Sequence, residues 1–187
     1  MPPFGRTLGV FALTVLVALA TAAGAQPPGY SPMLDGSSVI VPGYAMGPYS
    51  LDLSVADLYL RLGQTRVHLN ALGPQFRPSV QGMFWWGLSI LVLTMPSETA
   101  ILALGYRDSN YATRQQIGVG SEEAQVTKTY GKPSAVVQMR ARPKVLIYDA
   151  LGVAFEIAYN IAEGGYGNVD SVFVFRPGQA GAIWKTP

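Results

Sequence analysis

The chain has 187 residues, with 13 Lys and Arg against 11 Asp and Glu, one His, and no Cys. A formal net charge of +2, with no basic run and no acidic tail, gives none of the clustered cationic face that nucleic-acid binding needs. The absence of Cys excludes a disulfide framework and a thiolate metal site, so the chain must hold its core by burial alone.

The first element is a secretory signal peptide over residues 1–25. Arg6 precedes an apolar run over 8–23, which closes on Ala23-Gly24-Ala25. Small residues at those spacings mark a signal-peptidase site. The alternative is an uncleaved membrane anchor, since the run is near the lower end of the roughly 17–25 residues that span a bilayer. No Cys follows it, so a lipid-anchored form lacks an attachment point. The expected location is periplasmic or secreted, with membrane contact only through an uncleaved signal segment. What remains after residue 25 suits one compact domain or two small ones.

Residues 26–43 form a Pro/Gly-rich leader, in which Val39, Ile40 and Val41 predict a short edge strand ended by Pro42. An internal repeat follows, with unit one over 44–109, unit two over 110–177 and a C-terminal tail over 178–187. LDLSVADLYLRLG (51–63) aligns without a gap on VGSEEAQVTKTYG (119–131). Asp52 falls on Gly120, Leu58 on Val126, Leu62 on Tyr130 and Gly63 on Gly131. Apolar residues four apart share one helix face. Ser54 and Ser121 are the expected N-caps, one position out of register. Glu122 and Glu123 suit the positive end of the second helix, and each closing glycine suits a left-handed C-terminal cap. Pro133 prevents continuation.

Strands are predicted near 66–69 and 135–139. A second block aligns Gly87-Leu88-Ser89-Ile90-Leu91-Val92 with Gly152-Val153-Ala154-Phe155-Glu156-Ile157, preceded by Trp85 and Trp86 in one unit and Tyr148 in the other. Turns at 95–98 and 163–168 (EGGYGN) lead to strands over 101–104 and 172–175. The expected fold is therefore α+β: two tandem units, each a short helix or helix pair packed on a small antiparallel sheet. In unit two, Val153, Phe155 and Ile157 alternate with Ala154, Glu156 and Ala158, a half-buried pattern. In unit one, Leu91 and Leu93 are apolar as well as Leu88, Ile90 and Val92. Both faces of that strand call for cover, from the other unit or from a partner.

The helix segments resemble the G-M-T-x-x-x-V-x-x-x-x-G signature of the SmpA/OmlA-type outer-membrane assembly lipoproteins and of beta-lactamase inhibitory protein, which has two tandem copies. Gly120, Val126 and Gly131 match it, while Ser121 and Glu122 replace Met and Thr. In unit one Asp52 replaces the first Gly and Ser54 stands in for Thr. The resemblance spans roughly 44–177 and implies a fold. The lipoproteins' attachment Cys and the inhibitor's cysteines are absent, and no partner or inhibitory residue carries over.

Chemistry is sparse. His68 sits in a predicted strand without a second His, a Cys or a close carboxylate group. No G-x-S-x-G elbow is present. Gly118-Val119-Gly120-Ser121 opens a helix as a phosphate cradle does, but Glu123 occupies the place of a third glycine and two glutamates oppose an anion. No metal and no cofactor is expected. Asp149, Glu156, Glu163 and Asp170 lie near strand ends of unit two. A small carboxylate-dependent hydrolase would need two of them paired across a cleft.

Binding residues are better represented. Trp85 and Trp86 point to opposite sides if their segment is a strand. Tyr106 with Arg107, and Arg140 with Arg142, are expected to border the same sheet, and aromatic and Arg side chains dominate interface hot spots. The expectation is an exported, non-enzymatic binding protein of the cell envelope that engages a protein or envelope component through its sheet. Its alternatives are the hydrolase and a structural envelope protein forming a homodimer. No nucleic-acid partner is expected.

Overall fold

A computed structural model describes residues 38–63, 67–69, 72–96, 100–139, 142–160 and 164–185. The expected signal peptide and most of the expected leader lie outside the described residues. In chain order the first elements are β1 (Val39–Val41), β2 (Ala45–Met46), β3 (Tyr49–Ser50), α1 (Val55–Leu62), β4 (Val67–Leu69), β5 (Gln81–Trp85), β6 (Ile90–Thr94) and β7 (Ile101–Tyr106). Then come β8 (Ala112–Thr113), α2 (Glu123–Tyr130), β9 (Ala135–Val137), β10 (Lys144–Tyr148), β11 (Val153–Asn160), β12 (Gly165–Phe175) and α3 (Ala180–Ile183). Single 3-10 turns, Trp86–Leu88 and Asp149–Leu151, separate β5 from β6 and β10 from β11. The molecule is mixed α and β and strand-rich, with two sheets.

The large sheet has the order β4-β5-β6-β7-β12-β11-β10-β9, antiparallel at every joint. Strands expected in two small sheets thus form one, because β7 and β12 pair side by side. Gly105 lies opposite Phe173, flanked by the pairs Tyr106–Val172 and Leu104–Val174. Glycine is required at this seam. A Cβ on Gly105 would sit 2.6 and 2.8 Å from two carbons of the Phe173 ring, which lies across it. The small sheet runs β3-β2-β1-β8. The strand expected at an edge is therefore interior: β1 pairs antiparallel with β2 and parallel with β8, and Ile40 is buried.

The period-2 alternation of the strands divides the core into two. On one face Met83, Trp85, Ile90, Val92, Leu104, Tyr106, Leu146, Tyr148, Phe155 and Val172 cluster with Leu58 and Leu62 of α1 and Val126 of α2. Ile40 and Met46 of the small sheet join the same cluster. On the other face Leu93, Ala103, Val145, Ile147, Ala154, Phe173 and Phe175 cluster with Phe76, Val80, Ala180, Ile183 and Trp184.

This second cluster overturns the half-buried expectation for unit two, since Ala154 and Glu156 are both buried. The cover comes from residues expected to be a tail. The Arg77 N–H donates to the Ile183 carbonyl at 2.9 Å and the Lys185 N–H to the Gln75 carbonyl at 2.9 Å, so the C-terminal segment and residues 75–77 lie together across the sheet. Alternation in β11 could not reveal this, because its cover is remote in sequence.

The helix ends follow local chemistry. Ser54 caps α1: its Oγ accepts from the Asp57 N–H at 3.1 Å, while Asp57 Oδ2 accepts from the Ser54 N–H at 2.9 Å. The cap of α2 is Glu122, not Ser121, and the Glu122 N–H donates to Gln125 Oε1 at 2.9 Å. Ser121 instead accepts from the Gly118 N–H at 3.1 Å. In the gap-free alignment, Ser54 falls on Glu122, so the caps are in register. Gly63 and Gly131 close the helices at positive φ, 76° and 77°, but with ψ of 178° and −155° they are not the left-handed caps expected; they occupy extended positive-φ backbone that essentially glycine alone adopts. The last residue of the second strand in each half then reaches back to that glycine. Trp85 Nε1–H donates to the Gly63 carbonyl at 3.0 Å, and the Tyr148 hydroxyl to the Gly131 carbonyl at 3.1 Å.

Two boundaries differ from expectation. Gly87 and Leu88 belong to a 3-10 turn, so β6 starts at Ile90 after Ser89 in the left-handed region at φ 52°. β11 likewise starts after left-handed Gly152 at φ 68°. Ser89, rather than Gly87, thus has the left-handed backbone seen at Gly152. Of positions 89 and 152, the latter demands glycine, since a Cβ there would collide with the Phe175 carbonyl oxygen and lie 2.6 Å from Gly43 Cα. In EGGYGN, residues 165–168 are already strand, and Glu163 lies outside the described residues.

Candidate functional site

The two adjacent tryptophans part company because the strand ends between them. Trp85 is the last residue of β5, 2 % exposed, and packs against Tyr59 with ring centroids 5.8 Å apart. Trp86 starts the 3-10 turn and is 48 % exposed. Phe84 meets its ring edge-to-face at 4.8 Å. Opposite Phe84 on the outermost strand β4 stands Val67, exposed, and on its other side Leu91, half-buried. Val67, Phe84 and Leu91 continue one cross-strand row through Gly105 to Phe173. The row is covered at Phe173 and open toward β4. Trp86, Phe84 and Val67 thus form an accessible apolar patch beside a sheet edge.

The other expected binding residues do not gather there. Tyr106 is buried in mid-sheet against Tyr111, with ring centroids 4.3 Å apart. Burial raises its hydroxyl pKa above the ordinary tyrosine value. Arg107 is exposed and ion-paired with Asp170. Arg142 is exposed between β9 and β10, five strand spacings from β5, or roughly 24 Å along the sheet. Arg140 lies outside the described residues. Tyr106, Arg107 and Arg142, expected to border the same sheet, are distributed across it and not gathered beside Trp86. What placed them apart is the order of the strands, on which spacing in the sequence is silent.

The carboxylates serve the fold. Asp149 Oδ1 accepts from the Ala180 N–H at 3.0 Å, fixing the start of α3. Glu156 is buried, and Gln75 Nε2 donates to its Oε2 at 3.3 Å. Burial, reinforced by the nearby Asp170 charge, raises the Glu156 carboxyl pKa. Asp170 itself is held by Arg107. His68 is exposed on β4. Among the described residues no group of three or more His, Asp or Glu side chains is arranged to hold a metal ion.

The glycine segment before α2 has its donors engaged. The Gly118 N–H reaches Ser121 Oγ, and the Gly120 N–H donates to the Val169 carbonyl at 2.8 Å. The Gly118, Gly120 and Ser121 amides, which a phosphate would draw on there, already have partners. Nearby, burial and the Glu123 charge push the Tyr148 hydroxyl up to about 12, so at neutral pH it remains a donor to Gly131.

Among the described residues no helix is long and apolar enough to cross a membrane. Compared with known protein families, curated proteins and solved structures, the chain matches none.

Proposed function

We propose that this chain is an exported, non-enzymatic binding protein of the bacterial cell envelope that engages a protein or envelope component through its large sheet. The observation that carries this reading is the patch of Trp86, Phe84 and Val67 beside β4. Exposed Trp86, backed by half-buried Phe84 beside the outermost strand of the sheet, supplies both hot-spot area and a line of backbone partners. Export rests on the signal-peptide pattern of residues 1–25. The carboxylates support a binding role over a hydrolytic one, since Glu156 lies beneath Gln75 and Asp170 is ion-paired with Arg107.

A tandem origin belongs to the same reading. Both halves run helix, strand, strand, 3-10 turn, strand, strand, and both fasten the helix-closing glycine with an aromatic donor. Each half carries one strand more than the helix and three strands read from the sequence, which does not separate Gln81–Trp85 and Lys144–Tyr148 as strands of their own.

The test is retrieval of partners from envelope extract by immobilised mature protein, with Trp86→Ser as the matched control. Trp86 is surface-exposed, so the variant should keep its stability. Equal retrieval by both proteins would remove the patch from the proposal. If the patch instead joins two copies of the chain, sizing chromatography over a concentration series will show a dimer that Trp86→Ser dissolves.

A further inference from the structure

On the other side of the molecule a cleft of about 410 Å³ lies between β1, the loop after β8, the end of α2 and the turn Asp149–Leu151. That volume falls within the range of roughly 300–1,000 Å³ typical of small-molecule sites. Its walls are mostly apolar. Val41 and Leu151 stand 37 % and 45 % exposed, beside Pro42 and the ring of Tyr130. Among the described residues its only charged lining residue is Arg114, which is exposed. Among the described residues that guanidinium has no hydrogen-bond or ion-pair partner. The neighbouring end of α2 does not engage it. The Thr127 carbonyl accepts from the Gly131 N–H, and the Gly131 carbonyl from the Tyr148 hydroxyl.

The loop carrying Arg114 is held in a costly conformation. Gln116 has φ 62°, in the left-handed region that a side chain disfavours. The turn persists because the Gln116 N–H donates to the Thr113 carbonyl at 2.8 Å. The Thr113 N–H donates to the Ile117 carbonyl at 2.8 Å, and the Ile117 N–H to Thr113 Oγ1 at 3.2 Å. These bonds hold the backbone of the loop whose exposed residues Arg114 and Gln115 border the cleft.

We infer that this cleft binds a compact apolar ligand bearing a single carboxylate. The guanidinium fork matches a carboxylate in two parallel hydrogen bonds. Gln115 Oε1 accepts from the Tyr130 hydroxyl at 3.4 Å, which leaves its NH₂ group free to add a donor. A phosphate fits poorly, since its nearly two negative charges would face a single cation, whereas one carboxylate is matched by it. The apolar body lies against Val41, Pro42 and Leu151. The carboxylate belongs either to a free small acid or to the C-terminus of a peptide.

The experiment is calorimetric titration of the purified protein with octanoate, octylamine and octanol, and with one leucine-ended peptide in free-acid and amidated forms. Octanoate should bind at least tenfold tighter than octylamine. Arg114→Gln should lose that preference while binding octanol unchanged, and octanoate should protect Arg114 from phenylglyoxal modification. Leu151→Asp, which puts a like charge on the exposed rim, should abolish octanoate binding without unfolding the protein. Tighter binding of the free-acid peptide than of octanoate assigns the site to chain termini, and the reverse order to small acids. The inference is overturned by octanoate binding that Arg114→Gln leaves intact, by equal binding of octylamine, or by no binding of any carboxylate. It uses none of the Trp86 patch, so either proposal can fail without the other.

Discussion

Replacing Gly105 by Ala adds one methyl group at the seam between β7 and β12. The ideal Cβ lies 2.6 and 2.8 Å from two Phe173 ring carbons, far inside van der Waals contact. The ring has little room to withdraw. Trp184 meets it edge-on at 5.8 Å and Phe76 at 6.0 Å between centroids, and Trp184 is fully buried. Overpacking of this kind costs about 1–3 kcal/mol. For a chain of this size that lowers Tm by roughly 2–4 °C per kcal/mol. Urea unfolding followed by tryptophan emission measures the loss directly. The cause is isolated by a cycle with Phe173→Leu, which removes the ring edge. In that background Gly105→Ala should cost almost nothing, for a coupling of about 0.5–3 kcal/mol. If Gly105→Ala is neutral in the wild-type background, or if the two effects simply add, the steric account of the seam is wrong.

Four further outcomes are expected. Glu156→Gln should stabilise the protein at pH 7: burial raises the folded carboxyl pKa, so wild-type stability falls as pH rises from the ordinary carboxylate value toward that raised one. The gain should vanish below about pH 4, where both states of the wild-type carboxyl are protonated, and urea midpoints across pH 3–8 will show whether the gap opens in that direction. Ser54→Ala should cost about 0.5–2 kcal/mol through loss of the α1 cap. It should also let the Asp57 pKa, held down mainly by its bonds to Ser54, climb back toward the ordinary value in an NMR titration. Trp85→Ala should cost about 3–5 kcal/mol while Trp86→Ala stays within about 0.5 kcal/mol, so similar denaturation midpoints would contradict the strand end between them. Gly152→Ala should destabilise more than Gly105→Ala, since it combines a left-handed backbone with backbone neighbours that no side-chain rotation relieves.

Local features were legible in the chain and distant ones were not. Leu58, Leu62, Gly63, Val126 and Gly131 announce two helices and their ends because helix periodicity and a glycine stop depend on a few adjacent residues, although neither glycine takes the left-handed cap expected of it. The cap at Glu122 was hidden, since Ser121 is the better capper by residue type and only the bond to Gln125 decides between them. Aligning glycine on glycine displaced the second block, because Ser89 adopts the conformation that Gly152 has. The burial of Ala154 and Glu156 depends on Trp184 and Phe76, which alternation within β11 does not register. Of the expected binding residues Trp86 lies on the exposed patch, because a 3-10 turn turns it away from Trp85. Phe84 and Val67 were recoverable in principle, since strand parity places Phe84 on the face opposite Trp85. Arg114 gave no sequence signal, because its cleft is assembled from four separate segments.

The seam also bears on how the chain reaches its fold. The hairpins β5–β6, β6–β7, β10–β11 and β11–β12 join neighbours in sequence, whereas β7 meets β12 only across the whole of the intervening half. Closing that long loop carries an entropic cost that the local hairpins avoid. The halves should therefore acquire their strands first and dock along Gly105 and Phe173 afterwards. In stopped-flow experiments a substitution at the seam should accelerate unfolding and leave the folding rate nearly unchanged, making this line of contact the protein's main control over how long it stays folded.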